Sequence, residues 1–324
     1  MKYGMSESLD HIRTRVEALG MDFQFVKTIK TSMNGIERET WLLEYEGDQF
    51  VFVAGQKNVV LGWDVDQCPL GEGILKGLRE EFDLGRDYDR NQRIELQEDY
   101  QEQIMEANAK GDLVKAEELE KELEEELEIF DRETNESGYT SWEDFMVKWN
   151  EHLSECLSPL RTVDIGDMIV EVDSRYLEKD AQSISQVISS LKEDHFTLAT
   201  EDEWEYLCNG GTRTLFRWGD LLYDNLLMDI FSAGEAEVDS ERVSSLLKDP
   251  NMLGLLIAYN SYKFEIIDNT QYVKGGDGGC SLCGGDGPIY VLPCYTAFYR
   301  QKIYESEYGL SKDYYSYRRI IRLP

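Results

Sequence analysis

Thr200 and Glu203 stand three residues apart at the head of a run that ends in Gly210 and Gly211. This spacing is a capping box: the threonine hydroxyl and the glutamate carboxylate each satisfy a backbone N–H that the first helical turn leaves open. The paired glycines stop the helix and allow a tight turn, because glycine enters the left-handed region without a Cβ clash. The helix between these signals carries Trp204 on its inward side, and a tryptophan needs a core around it to bury its large ring. A fold for this chain must therefore wrap a packed layer around a short, sharply bounded helix.

Periodicity on either side fills in that layer. Leu9, Ile12, Val16 and Leu19 mark one face of a short helix. Phe23–Ile29 and Glu39–Tyr45 read as strands joined through the Asn34–Gly35 hairpin signal, and Gln49–Val53 and Val59–Leu61 continue them as an antiparallel meander. From about Leu75 to Phe130 the chain becomes dense in Glu, Lys, Gln and Leu, with a break at Lys110–Gly111–Asp112. This predicts a helical hairpin whose Glu runs form a solvated face. Trp142–Leu157 reads as a further helix with Ser141 as its N-cap. Strands are expected over Thr162–Val172, and a helix over Asp180–Leu191.

The 324 residues are 41% hydrophobic and 30% charged, enough for a globular core, and the formal net charge is -32. So negative a field repels phosphates and anionic lipid, which argues against nucleic-acid or membrane partners and favours a basic protein. No apolar run approaches the roughly 20 residues a spanning helix needs, and Met1–Asp10 has no signal-peptide pattern, so a cytoplasmic location is expected. Six cysteines in a chain of this length do not suggest a disulfide framework.

The segment Phe196–Gly211 with Leu215–Asp220 resembles the "TEAEWEYAARGG…WGD" block of the formylglycine-generating, or sulfatase-modifying-factor, family. Gln49–Gly55, Ser158–Ile165 with Val170–Val172, Asn251–Leu255, Val273–Gly276 and Tyr317–Ile321 resemble other blocks of that family in the same order. The resemblance implies an α+β, loop-rich fold with a C-type-lectin-like core over residues 49–324. An acidic helical insertion would interrupt it at about 75–157, and residues 1–48 would be an N-terminal helix and hairpin packed on the core.

In that family two cysteines hold copper for the oxidation of a client cysteine, a suitable task for thiolates and soft Cu(I). Here Cys280 occupies the first cysteine position, Asp277 replaces the motif serine, and Gly285 stands at the second cysteine position. Cys283 comes too early, and Cys294 fits only with an insertion. Three readings stand open: a two-thiol copper site using Cys280 with Cys294 or Cys283; a zinc or redox site built on Cys280-x-x-Cys283; or a glycine-rich loop with incidental thiols. Zinc would need a fourth ligand from Cys208, Cys68 or His195. The resemblance also implies calcium at Asn225, Asn260 and Glu265, with Asn260 and Glu265 two residues further apart than in the family. His11, His152 and His195 are scattered and suggest no three-histidine iron site. The functional expectation is a non-catalytic protein- or ligand-binding module. The alternatives are a copper-dependent, thiol-oxidising enzyme and an oligomeric scaffold assembled through the helical insertion.

Overall fold

A computed structural model describes residues 9–33, 35–137, 139–180, 182–222, 247, 249–284, 288–303 and 309–324. The protein is mixed α+β, with several sheets and a long helical segment. The described residues fall into two compact units. One contains the chain up to Gly71, His152–Leu221 and the C-terminal region to Pro324; the other contains Glu72–Glu151 with Leu222.

The first unit opens with α1 (Leu9–Glu17) and the strands β1 (Gln24–Met33), β2 (Ile36–Tyr45) and β3 (Asp48–Val53). Met33 pairs with Ile36 and Tyr45 with Asp48, so each connection is two residues long; Asn34 of the first lies outside the described residues. In the second, Glu46 and Gly47 have φ of 53° and 88°, the paired left-handed residues that match the twist of a hairpin. The expected meander ends there. β4 (Gln56–Leu61) leaves the sheet and pairs with β5 (Arg161–Ile165). Its place beside β3 is taken by β6 (Met168–Glu171), and the C-terminal β12 (Ile320–Arg322) completes the order β1-β2-β3-β6-β12. Every pairing in this sheet is antiparallel. Phe50–Val53 and Met168–Val170 are buried on both faces, as their unbroken apolar runs require.

A second sheet has the order β10-β9-β8-β11-β7, built from β7 (Arg175–Tyr176), β8 (Phe264–Ile266), β9 (Tyr272–Lys274), β10 (Gln301–Lys302) and β11 (Tyr315–Tyr317). One apolar core joins the two sheets. It collects Ile12 and Val16 from α1, Trp41, Phe50, Phe52 and Ile169 from the first sheet, and Ile266, Val273 and Tyr315 from the second. The described N-terminal helix and hairpin are thus built into the core.

Two capped helices close it. The helix expected from Asp180 begins four residues later, as α5 (Ile184–Glu193), because Ser183 and Gln186 form a capping box; Asp180 instead accepts the Lys312 N–H at 2.9 Å. α6 (Glu201–Asn209) starts at the Thr200–Glu203 box and stops at Gly210, whose φ is 61°. A Cβ on Gly210 would lie 2.5 Å from Met252 Cγ, so both the conformation and the packing demand glycine.

The second unit is dominated by α2 (Glu72–Ala109) and α3 (Leu113–Ser137). At 38 residues, α2 extends about 57 Å at 1.5 Å per residue. Gly111, with φ of 74°, makes the turn between the two helices. Arg93 reaches Asp131 through two hydrogen bonds of 2.8 and 3.1 Å, while Ala107, Ala116 and Leu119 pack near the turn, so the helices run antiparallel. α4 (Trp142–Cys156) begins in this unit, with the Asp144 N–H donating to Ser141 Oγ at 3.1 Å. No described helix is long and apolar enough to cross a membrane.

Candidate functional site

Asp277 organises the cysteine-bearing segment. After β9 the chain turns through Gly275, Gly278 and Gly279, with φ of 84°, 73° and 78°. The Asp277 and Gly279 N–H groups both donate to the Ser261 carbonyl, at 3.0 and 3.2 Å. The Asp277 carboxylate is 6% exposed and accepts the Gly279 and Ser281 N–H groups at 2.9 Å each, together with the Ser281 hydroxyl. These bonds cap α7 (Cys280–Cys283), a single helical turn. Tyr262 and Phe264 pack their rings over Gly279 and Gly278, so close that a Cβ there would lie 2.1 and 2.8 Å from ring carbons.

All six cysteines are thiols. Cys280 and Cys283 share the turn and are exposed. The Cys283 Sγ lies 3.5 Å from the Tyr262 hydroxyl, and that thiol, with burial second, pushes the Tyr262 phenol up to about 12. Cys294 has the opposite surroundings. It follows α8 (Pro288–Val291) in a buried 3-10 turn, is 1% exposed, and donates its S–H to the Tyr290 carbonyl at 3.6 Å. Ser281 Oγ approaches that same carbonyl at 3.4 Å, which links Cys294 to the inner side of the turn. Burial first, and the Asp277 carboxylate second, push the Cys294 thiol well above the ordinary thiol range. Cys156 also acts on Cys294 electrostatically, and burial pushes Cys156 itself up to about 12.

The two thiols of the copper reading sit in different environments. Cys280 is exposed. Cys294 is buried, its S–H is directed at the Tyr290 carbonyl, and burial and the adjacent Asp277 carboxylate favour its protonated form. Gly285, at the family's second cysteine position, lies outside the described residues. The zinc candidates are also placed apart: Cys68 accepts Arg213 NH2 at 3.2 Å, Cys208 is buried in α6, and His195 follows α5 with φ of 65°. Among the described residues, no three of His, Cys, Asp and Glu converge to hold a metal.

The calcium candidates are committed elsewhere. Asn225 lies outside the described residues. Asn260 Oδ1 accepts the Tyr262 N–H at 2.9 Å, within its own turn. Glu265 is 4% exposed, and its two oxygens accept Arg318 Nε at 2.8 Å and NH2 at 3.1 Å, so a guanidinium stands where a cation would.

Two features escaped the sequence reading. Lys263, only 7% exposed, donates to Ser174 O at 2.6 Å, Tyr259 Oη at 3.1 Å and Asp173 Oδ1 at 3.2 Å, and burial raises the Tyr259 phenol. Only folding brings these distant positions together. A concavity of about 680 Å³ lies between α1 and the β1–β2 hairpin, with Val16, Phe23, Phe25 and Trp41 in its wall, a size common for ligand pockets. No protein-family model matches the chain, and no match to a curated protein is found.

Proposed function

We propose that the chain is a divergent protein of the sulfatase-modifying-factor type, with a C-type-lectin-like core, that binds a basic protein partner and does not carry out the family's oxidation. One observation supports the loss of chemistry: Cys294, a thiol the copper reading would place beside Cys280, is buried with its S–H on the Tyr290 carbonyl and its ionisation opposed by burial and by Asp277, while Cys280 is exposed. The family reading draws support from the closeness of the segments that suggested it. Lys274, from the lysine–glycine–glycine block, lies 2.9 Å from Glu205 of the tryptophan-bearing helix and 5.4 Å from the Trp204 ring centre. The Gln49–Gly55, Val170–Val172 and Tyr317–Ile321 blocks contribute neighbouring strands to one sheet.

The basic partner follows from charge. The chain carries -32 overall, and Glu124, Glu125 and Glu126 form part of an exposed acidic face on α3. A fluorescent lysine-rich model peptide tests this in titrations of the full chain at increasing salt. Affinity should fall steeply with salt and weaken on Glu124→Gln/Glu125→Gln/Glu126→Gln substitution. Binding indifferent to both removes the proposal.

The copper oxidase is the second reading, with Cys280 paired with Cys294 or with Cys283; Cys280 and Cys283 are both exposed on one turn. Titration of the reduced protein with Cu(I) separates the readings: tight one-to-one uptake that Cys280→Ser abolishes would overturn the binding-module reading. Sedimentation of the full chain tests the scaffold reading.

A further inference from the structure

We propose that Cys280 and Cys283 are a reversible dithiol–disulfide pair that exchanges with low-molecular-weight disulfides. The proposal stands independently of the function argued above. It rests on the turn's geometry and on the contrast among the chain's cysteines.

The backbone already places the two residues at bridging distance. Cys283 N donates to Gly279 O at 2.8 Å and Gly284 N to Cys280 O at 2.9 Å, so residues 279–284 follow a helical turn. Residues three apart in such a turn have Cα atoms about 5 Å apart. A disulfide accepts Cα separations of roughly 4.4–6.8 Å, so ring closure needs rotation of side chains and little movement of backbone.

The turn is also built to keep this shape. Asp277 holds it from inside by accepting two N–H groups and the Ser281 hydroxyl, and Tyr262 and Phe264 clamp the glycines ahead of it. Ser281 faces Asp277 and the Tyr290 carbonyl, while the thiols on either side of it in sequence reach solvent. Access separates this pair from the rest: Cys208 and Cys294 are buried, and Cys68 and Cys156 are partly covered.

Tyr262 gives Cys283 a chemical role. A phenol that keeps its proton up to about 12 remains a donor over the range in which an exposed thiol ionises. At 3.5 Å its hydroxyl is placed to donate to Cys283 Sγ while that sulfur attacks or leaves during exchange.

The exchange balances in two steps. The Cys283 thiolate attacks one sulfur of the small disulfide; the S–S bond breaks, one thiolate leaves, and a mixed disulfide remains on Cys283. The Cys280 thiolate then attacks Cys283 Sγ, releasing the second small thiolate and closing the Cys280–Cys283 bond. The protein loses two electrons and two protons; the small disulfide gains both and becomes two thiols.

The test equilibrates the full chain, with chelator present, in glutathione buffers of increasing glutathione-disulfide content, then quenches with acid, alkylates and maps the peptides by mass. Cys280 and Cys283 should lose alkylation together and reversibly, joined to each other, while Cys208 and Cys294 are unaffected. Cys280→Ser should halt at a glutathione adduct on Cys283, and Tyr262→Phe should slow oxidation several-fold without changing its end point. Alkylation of both thiols at every buffer ratio, or oxidation that joins either one to a different cysteine, overturns the proposal. Cys280 lies on the exposed turn and Tyr262 is half-buried beside it, and circular dichroism identical to the parent establishes that both variants are folded.

Discussion

Lys274 Nζ lies 2.9 Å from Glu205 Oε1, and neither side chain has any exposed surface. Glu205 Oε2 accepts the Gly62 N–H at 3.1 Å and stands 3.1 Å from Arg161 NH2. One carboxylate thus ties α6 to β9 and to both strands of the β4–β5 pair. Removing Lys274 leaves Glu205 with Arg161, and removing Glu205 leaves Lys274 with Glu201 at 3.5 Å, so each loss should cost up to about 3–5 kcal/mol, the range for breaking a buried pair. Lys274→Met and Glu205→Gln should each lower the urea midpoint substantially, and Lys274→Met/Glu205→Gln should lose less than the sum of the two. Additive losses would mean that the two groups act independently.

Burial pushes the Cys208 and Cys156 thiols up to about 12. An unfolded cysteine ionises near about 8.5. Below that value both states hold the proton, and the thiols make stability no more dependent on pH. Above it the unfolded state sheds protons that the folded state keeps, so stability falls with rising pH until the folded thiols ionise too. Each thiol contributes a slope of up to about 1.4 kcal/mol per pH unit. Urea unfolding between about pH 8 and pH 10 should show this decline, and Cys208→Ala should make it shallower. An unchanged alkaline slope in that variant would refute the assignment.

Gly279 and Gly20 have similar backbones but different surroundings. Their φ values are 78° and 70°; a Cβ on Gly279 would lie 2.1 Å from a Tyr262 ring carbon, whereas a Cβ on Gly20 meets nothing within 4 Å. Gly20→Ala should therefore cost only the left-handed penalty, about 1–2 kcal/mol. Gly279→Ala adds a clash with an aromatic ring, so it should cost more and displace Tyr262. A changed alkylation rate at Cys283 in Gly279→Ala alone is the expected signature; equal effects from the two substitutions would contradict it.

What the sequence disclosed and what it withheld divide along the range of the forces involved. The Thr200–Glu203 cap, the Ser141 cap and the break at Gly111 are local hydrogen-bonding and backbone effects, and each is found where its residues stand. The partner of β3 is not local: Val51 pairs with Val170, and Val170 with Ile320, across long stretches of chain. An apolar run such as Phe50–Val53 states that a strand is buried on both faces, without naming its neighbours. The same limit governed the cysteines. Their spacing put Cys280 and Cys283 within reach of one ion in a glycine-rich loop, but the helical turn they share and the difference between exposed Cys283 and buried Cys294 depend on tertiary packing around Tyr290 and Asp277.

The α2–α3 arm should open before the sheet core does. Leu84, Tyr88 and Ile94 on α2 are 51%, 64% and 43% exposed, and the arm's own buried cluster is small: Ala107, Ala116 and Leu119, with Tyr100 and Ile104 against it. By contrast every residue of α6 from Glu203 to Asn209 is buried. Segments with little buried apolar surface exchange their amides through local opening, whereas a fully packed helix waits for larger unfolding. Native-state hydrogen exchange should therefore release the amides around Leu84–Gln97 well before those of Trp204–Cys208. Leu119→Ala should speed exchange in the arm further, because deleting a buried leucine side chain costs about 2–5 kcal/mol where it packs. It should leave α6 almost unaltered, since the lost contacts belong to the arm alone. Simultaneous release of the two regions would show instead that arm and core unfold as one cooperative body.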